Sequence, residues 1–282
     1  MRTAIVTALH GRTSHLRKQL EGLSHSDFRV DRHVLVAIDD DDVMAEVQGR
    51  DGCQIVVPLR SNSKRLPMAA ARNLGARVAI DGGAELLIFL DVDCIPASNM
   101  VGLYVRAATN PAHSGALLCG PVTYLPAPGA DGYDLDRLPA LADPHPARPA
   151  PAAGVTVAGA EYELFWSLSF AVTTPVWQRI GGFCTDYVGY GGEDTDYAQK
   201  AAAESVELRW VGGAHAFHQF HPISDPPTEH LEDIVINAIT FHRRWGWWPM
   251  RGWLDAFEAR GLVLRDSNGR PAVRIGCSTA ST

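Results

Sequence analysis

The chain has few cysteines, no cluster of basic residues and no long hydrophobic run, and each absence excludes a class of protein. None of its apolar segments reaches the roughly 18 residues that mark a membrane-spanning helix. Its five cysteines are scattered, odd in number and never spaced as Cys-x-x-Cys. This pattern predicts reduced thiols in a cytoplasmic protein. A formal net charge of -7 without clustered Lys and Arg argues against nucleic-acid binding.

The remaining composition is that of an ordinary globular protein. Of the 282 residues, 46% are hydrophobic and 20% are charged, which suits one large domain with an ample core. The N-terminus lacks the layout of a signal peptide, because residues 1–6 enter an apolar, strand-like run directly. We therefore expect a soluble protein without a transmembrane segment.

Short apolar runs alternate with helical patterns over the first hundred residues. Strands are predicted at 3–9, 33–38, 53–58 and 86–90, and helices at 14–23 and 67–80. This alternation predicts an α/β fold with a mostly parallel central sheet flanked by helices. Ligands bind such sheets beyond the carboxyl ends of the strands, so the loops that follow these strands should share one cleft.

Acidic residues follow two of the predicted strands. Asp91 and Asp93 come directly after the run 86–90, and two carboxylates so placed can hold Mg²⁺ or Mn²⁺ and through it a diphosphate. Solvated loop aspartates are the alternative. Of the four aspartates after the second strand, Asp39 is the candidate to accept hydrogen bonds from a base or ribose, with a solvated turn as the alternative.

The stretch from Tyr187 to Asp196 combines three glycines with three carboxylates. A helix is predicted from there to Ala203, so the acids lie in its first turn, where the helix dipole favours them. They could simply cap that turn, or they could contact a ligand that the glycines allow to approach the backbone.

The second half of the chain is predicted to contain further strands and helices around a long irregular segment. Helices are predicted at 101–108 and 228–245, strands at 115–122 and 206–211, and a loop at 126–154. The loop is rich in Pro and Ala, and could be a surface segment, a mobile lid or disordered. His215, His218 and His221 are spaced by three, which allows at most two of them to point together. Neutral imidazole is a good ligand for Mn²⁺.

Four stretches, in this order, resemble the GT-A inverting glycosyltransferases of the family 2 and family 7 type. They are TALHGRTSHL (7–16), FLDVDCIP (89–96), IGGFCTDYVGYGGEDTD (180–196) and AHAFHQ (214–219). The nearest likeness is to the catalytic domain of β-1,4-galactosyltransferases and to bacterial chondroitin-type polymerases. The resemblance implies one GT-A domain at 1–260, with a nucleotide-binding half at 1–96, an acceptor and catalytic half at 97–222, C-terminal helices at 223–260 and a tail at 261–282.

The resemblance also implies an activity and a role for particular residues. The activity is metal-dependent, inverting transfer of a hexose or N-acetylhexosamine from a nucleotide-sugar, expected to be a UDP-sugar, to an acceptor hydroxyl of a glycan, glycoside or small molecule. Asp194 would be the general base, and Glu193 would orient the acceptor. Mn²⁺ or Mg²⁺ would bind Asp93 and His218, with His215 and His221 as alternates. The donor would contact Thr7, Ala8, Arg12, Asp39, Asp91 and Asp93. Tyr190 and Glu193 would bind the acceptor, and Gly192 and Trp166 would be further substrate-binding residues.

Two departures from the family and two rival functions bear on this expectation. Ser167-Leu168 stands where the galactosyltransferases have Gly-Gly, so galactose specificity does not follow. The membrane anchor of the Golgi enzymes has no counterpart, which fits a bacterial, soluble enzyme. A GT-A domain that binds nucleotide or glycan without turnover is one rival. A sugar-nucleotide pyrophosphorylase is the other, but it needs a glycine-rich loop after the first strand, and residues 10–13 contain one glycine.

Overall fold

The first part of the chain folds into alternating strands and helices, as predicted. The structure is a computed structural model, and it describes residues 1–48, 52–61 and 63–274. The elements are β1 (Thr3–Leu9), α1 (Thr13–Ser24), β2 (Arg32–Ile38), α2 (Val43–Val47), β3 (Gln54–Leu59), α3 (Met68–Asp81) and β4 (Leu86–Leu90). Each predicted strand and helix here lies within about a residue of its observed bounds, and only the short helix α2 was not predicted.

The second part adds shorter elements. They are β5 (Cys94–Pro96), α4 (Met100–Thr109), β6 (Leu117–Cys119), β7 (Val122–Tyr124), β8 (Thr156–Gly159), β9 (Ser169–Thr173), α5 (Thr174–Ile180), α6 (Glu193–Ala203), β10 (Leu208–Val211), β11 (Ala216–His218), α7 (Leu231–Trp245), α8 (Arg251–Ala259), β12 (Val263–Arg265) and β13 (Pro271–Val273). The predicted tail thus contains an antiparallel hairpin of β12 and β13. Cys277 lies outside the described residues.

The single strand predicted at 115–122 is wrong, because this segment forms two strands in different sheets. β6 lies in the large sheet and β7 in a small one. Gly120 and Pro121 separate them. A Cβ on Gly120 would lie 1.8 Å from the carbonyl oxygen of Ala214, and Pro121 has no N–H to donate to a strand partner. The chain therefore crosses between sheets at this point.

The central sheet has eight strands in the order β3-β2-β1-β4-β9-β6-β10-β8. β2, β3 and β4 run parallel to β1, whereas β9 is antiparallel to both β4 and β6. β10 is parallel to β6 and antiparallel to β8. Hence every strand except β8 and β9 points the same way, which confirms the mostly parallel α/β sheet. A second sheet, β5-β11-β7, lies beyond the end of β4.

Helix α3 packs tightly on this sheet because its inner face carries small residues. Ala69, Ala71, Ala76 and Ala79 are buried there. A Cβ on Gly75 would lie 2.4 Å from Cγ1 of Val6, so only glycine permits this approach of helix to strand. The close packing brings the first turns of α3 to the carboxyl ends of β1 and β4.

An aromatic cluster fixes the helix that carries the acidic stretch. The ring of Tyr197 on α6 stacks on Phe183 at 4.4 Å between centroids and lies 5.5 Å from Trp177. Phe89 on β4 stacks on Phe170 at 4.5 Å and on Trp177 at 4.9 Å. Each such pair contributes about 0.5–1.5 kcal/mol beyond the burial of its area. The start of α6 is therefore held firmly against the end of β4.

A buried carboxylate joins α7 to α6. Asp196 is fully buried, and its Oδ1 accepts hydrogen bonds from Arg244 Nε at 2.6 Å, Trp245 Nε1 at 2.8 Å and the Tyr187 hydroxyl at 3.2 Å. The third acid of the acidic stretch thus has a structural role. Within the part of the chain that the structure describes, no helix is both long and apolar enough to cross a membrane.

Candidate functional site

Three side chains that could ligate a metal meet beyond the end of β4. Nε2 of His218 lies 3.6 Å from Oδ2 of Asp93, and Nε2 of His221 lies 3.7 Å from the same oxygen. One ligand atom from each of the three residues lies within 4.8 Å of the others. The strand pairing explains the encounter, because His218 on β11 is the register partner of Cys94, the residue after Asp93. Gln219 N also donates to the carbonyl oxygen of Asp93 at 2.7 Å.

His215 is excluded from this group by its surroundings. It is buried, and its Nε2 lies 2.7 Å from the hydroxyl oxygen of Thr123. Burial lowers the pKa of His215 to about 4, so this ring is neutral and structural. Of the three histidines, His218 and His221 point together, in keeping with the limit of two that their spacing sets. Burial, followed by the Arg12 guanidinium, lowers the pKa of His221, which favours the neutral imidazole that binds metals.

Arg12 supplies a positive charge at the same place. It precedes α1 with φ 57°, a left-handed conformation that is uncommon for a non-glycine residue. Its guanidinium Nη1 contacts Oδ2 of Asp93, and 38% of its side chain is exposed. A cation that is accessible beside the candidate metal ligands suits the binding of an anion such as a diphosphate.

Arg72 pairs with both Asp91 and Glu193. The sequence analysis did not identify it. Its side chain is 5% exposed, with Nη2 lying 3.0 Å from Asp91 Oδ1 and Nη1 lying 3.2 Å from Glu193 Oε1. Burial alone would lower the pKa of Arg72, but Asp91 and then Glu193 outweigh it and raise the pKa. The sequence did contain one indication of this pair, because Arg72 lies among the small residues on the buried face of α3 and a buried Arg requires partners.

Asp194, the acid next to Glu193, has a raised pKa. Burial, and then the charge of Glu193, raise the pKa of Asp194 to about 7. Its Oδ1 accepts hydrogen bonds from Thr195 N at 2.7 Å and from the Thr195 hydroxyl at 3.4 Å. A carboxyl group that titrates near neutral pH can accept a proton during a reaction and release it afterwards.

The glycines before α6 shape the backbone around this pair. Gly192 precedes the helix with φ 90°, and a Cβ there would lie 3.2 Å from the ring of Tyr187. Tyr190 stacks on His230 at 4.3 Å and lies 5.8 Å from Trp253. Burial, then Asp194, Glu193 and Asp93, raise the pKa of Tyr190 to about 12. The negative charges of the acid pair and of Asp93 thus add to burial in disfavouring ionisation of the Tyr190 hydroxyl.

Three of the residues predicted to bind the donor make other contacts in the structure. Thr7 is fully buried, and its hydroxyl donates to the carbonyl oxygen of Leu90 at 2.9 Å. Ala8 is 3% exposed and belongs to the core. Asp39 is exposed, has φ 44°, and its Oδ1 accepts from Ser61 N at 3.0 Å. The structure thus joins Arg12 to Asp93 directly and Asp91 to Glu193 through Arg72, whereas the donor roles of Thr7, Ala8 and Asp39 stay predictions.

Trp166 lies in a row of aromatic rings. Its ring contacts His145 edge to face at 4.8 Å, and His145 contacts Tyr124 at 5.9 Å. Tyr124 in turn lies 4.7 Å from the ring of His218. The row therefore runs from the candidate metal ligands to the predicted substrate residue.

Comparison with known proteins agrees with this geometry. Residues 157–222 match the family model described as the N-terminal domain of galactosyltransferase. No curated protein matches the chain. The match includes the acidic stretch at the start of α6 and the three histidines in and around β11. The chain has the GT-A fold.

Solved structures share the fold at low sequence identity. GalNAc-T7, solved with UDP, GalNAc and Mn²⁺, has a TM-score of 0.60 and 14% identity over 93% of this chain and 51% of that one. S. aureus TarS 1-349 has a TM-score of 0.58 and 13% identity over 85% of this chain and 65% of that one. The same TarS fragment in complex with UDP-GlcNAc has a TM-score of 0.56 and 12% identity. The chain thus spans between about half and two thirds of these structures.

Proposed function

We propose that this protein is a glycosyltransferase that moves a sugar from a UDP-sugar to an acceptor hydroxyl, with a divalent metal and with inversion at the anomeric carbon. The observation that carries the proposal is that Arg72 pairs both with Asp91, two residues before the candidate metal ligand Asp93, and with Glu193 of the acid pair Glu193 and Asp194. The family match and the nucleotide complexes of GalNAc-T7 and TarS support the donor class.

The residues at the metal position fit Mn²⁺ better than Mg²⁺. One carboxylate and two imidazoles form a mixed oxygen and nitrogen set, whereas Mg²⁺ favours oxygen ligands. When bound there, a divalent ion supplies positive charge against the diphosphate that leaves. Arg12 would contact the same diphosphate. Asp91, held by Arg72, would face the ribose or a water molecule on the metal.

Asp194 would accept the proton of the acceptor hydroxyl. Because Oδ1 already accepts two hydrogen bonds from Thr195, Oδ2 is the atom that remains for the acceptor. The hydroxyl oxygen would then attack the anomeric carbon on the face opposite the diphosphate. General-base assistance of this kind contributes about 10²–10⁴-fold in rate. Glu193, fixed by Arg72, would orient the acceptor.

Other assignments extend from these contacts. Tyr190 and Gly192 would form the acceptor side of the cleft, and Trp166 would bind substrate. Thr7 and Ala8 would contact the donor from the end of β1. Asp39 would lie at the edge of the nucleotide site. In this scheme residues 1–96 bind the nucleotide, 97–222 carry the acceptor and catalytic groups, and the whole domain spans 1–260 and is cytoplasmic.

Calorimetric titration of UDP tests the proposal. With Mn²⁺ the protein should bind UDP, and with EDTA binding should weaken strongly; the Asp93→Ala variant should resemble the EDTA sample. Turnover of a panel of UDP-sugars then separates an enzyme from a domain that only binds. Failure to bind UDP with or without Mn²⁺ would refute the donor assignment.

A further inference from the structure

The long loop between β7 and β8 is fixed to the body of the protein at several points. Leu138 is buried in an apolar cluster with Ile95 and Phe217. Asp143 N donates to the Thr123 hydroxyl oxygen at 2.9 Å, and His145 N donates to the carbonyl oxygen of Val122 at 2.9 Å. A segment that is held in this way presents a defined surface to the cleft.

Arg148 is a further point of attachment of the loop. The residue is buried, and none of its three guanidinium nitrogens makes a hydrogen bond within the described residues. Instead the guanidinium carbon lies 4.9 Å from the ring centroid of Trp166 and 4.8 Å from that of Trp210. A desolvated cation held by aromatic faces contributes about 2 kcal/mol or more per contact. Trp166 is thereby held between Arg148 and His145.

The resulting row of Tyr124, His145 and Trp166, here called the aromatic shelf, has unused hydrogen-bonding groups. Tyr124 is 50% exposed, and within the described residues its hydroxyl makes no hydrogen bond. Nδ1 of His145 accepts from Ala147 N at 3.2 Å, so the neutral ring carries its proton on Nε2. No described residue is bonded to that nitrogen. Apolar ring faces with a few free polar groups are typical of sites for small polar ligands.

We propose that the aromatic shelf binds the sugar ring of the nucleotide-sugar donor, with Tyr124 and His145 as its new contact residues and Arg148 as a positioning residue. The inference rests on the proposed function, and it assigns a role to the loop 126–154. The apolar face of the sugar would lie on the rings, and its hydroxyls would meet the Tyr124 hydroxyl and His145 Nε2.

The position of the shelf favours the donor sugar over the acceptor. Tyr124 contacts the ring of His218 and is also its register partner across β7 and β11. At the other end, Leu168, two residues after Trp166, accepts a hydrogen bond from Asp91 N at 2.9 Å. Tyr124 thus contacts the proposed metal ligand His218, and Trp166 lies two residues from the one that bonds Asp91, which would face the nucleotide. A sugar bonded to the diphosphate must lie beside them.

The test compares the affinity for UDP with that for UDP-sugars, measured by calorimetry with Mn²⁺. UDP-GlcNAc, UDP-GalNAc, UDP-glucose and UDP-galactose are the probes, and the one that exceeds UDP by most is used further. Tyr124→Ala and His145→Ala should each weaken binding of that UDP-sugar by about 5–10-fold and change UDP affinity by less than about twofold. Tyr124→Phe should retain most of the gain. Leu141→Ala, an exposed apolar position on the same loop, is the matched control.

Several outcomes would overturn the assignment while leaving the donor class intact. If UDP binds but no UDP-sugar binds better than UDP, the shelf makes no contact with a donor sugar. Equal losses for UDP and UDP-sugar in the Tyr124 and His145 variants would point to a general structural effect. A raised KM for the acceptor with unchanged UDP-sugar affinity would assign the shelf to the acceptor. Absence of UDP binding in the unmodified protein would instead refute the proposed function itself.

Discussion

Replacing Arg72 by methionine should destabilise the protein in a pH-dependent way. The change keeps a long side chain on the small-residue face of α3 but removes the cation that pairs with Asp91 and Glu193. Loss of one partner from a buried ion pair costs about 3–5 kcal/mol. For a domain of this size each kcal/mol lowers Tm by roughly 2 °C, so Tm should fall by roughly 6–10 °C.

The sign of the pH effect follows from proton binding. Without Arg72 the nearby carboxyl groups ionise less readily, so the folded variant binds more protons than the folded wild type over the range in which they titrate. Stability falls with rising pH wherever the folded state binds more protons than the unfolded state. The deficit of Arg72→Met relative to wild type should therefore be smaller at pH 5.5 than at pH 8. Because Arg72 lowers the pKa of Asp194, the acidic limb of the transfer reaction should also move above pH 7.

Urea unfolding at both pH values and the pH profile of kcat/KM measure these effects. Arg72→Lys keeps the charge and should retain part of the stability. Arg77→Met is the matched control, because Arg77 is exposed on the same helix, and it should change stability by less than about 0.5 kcal/mol. An equal deficit at both pH values, together with an unmoved acidic limb, would show that Arg72 contributes packing rather than charge.

The other predictions concern the base and the metal ligands. Transfer should fall as the pH drops through about 7, because Asp194 must be ionised to accept a proton. Thr195→Val should move this acidic limb of the kcat/KM profile to higher pH, because it removes a hydrogen bond to the carboxylate. A kcat/KM profile that is flat between pH 5 and 8 would contradict this. Asp194→Asn should abolish transfer of the sugar but keep UDP binding with Mn²⁺, and full activity in this variant would remove the base assignment. His221→Ala should weaken Mn²⁺ binding by at least about tenfold in calorimetry. His215→Ala should leave that affinity unchanged but lower stability by about 1–3 kcal/mol, since the buried hydroxyl of Thr123 loses one of its two partners. The reverse pattern would exchange the two roles.

The sequence predicted those features that depend on local pattern. β1 and β4 are continuous apolar runs, and the acidic first turn of α6 follows directly on glycines, so their bounds could be read from neighbouring residues. Spacing made the two aspartates after β4 and one or two of the three histidines candidate ligands, and the resemblance selected Asp93 and His218. The pairing of β11 with β5 in the second sheet then brings His218 beside Asp93.

Features that depend on distant pairing could not be read in this way. Arg72 is separated by 121 residues from Glu193, and nothing within α3 indicates which acid it meets. The ring of Tyr124 reaches the cleft only because the chain changes sheets at Gly120 and Pro121, which interrupts a run that otherwise has the pattern of one strand. The donor role of Thr7 came from the resemblance alone and stays a prediction; in the structure the Thr7 hydroxyl donates to the carbonyl oxygen of Leu90.

The contact of α7 with Asp196 has a consequence for the smallest piece of the chain that can fold. The segment that matches a known family ends at residue 222, whereas Arg244 and Trp245, which neutralise and solvate the buried carboxylate, lie more than twenty residues further on. A chain cut after residue 222 would keep every proposed catalytic group yet leave an ion without a counter-charge beneath the catalytic helix. The segment that matches a known family is therefore shorter than the cooperative folding unit, because the folding unit must include α7.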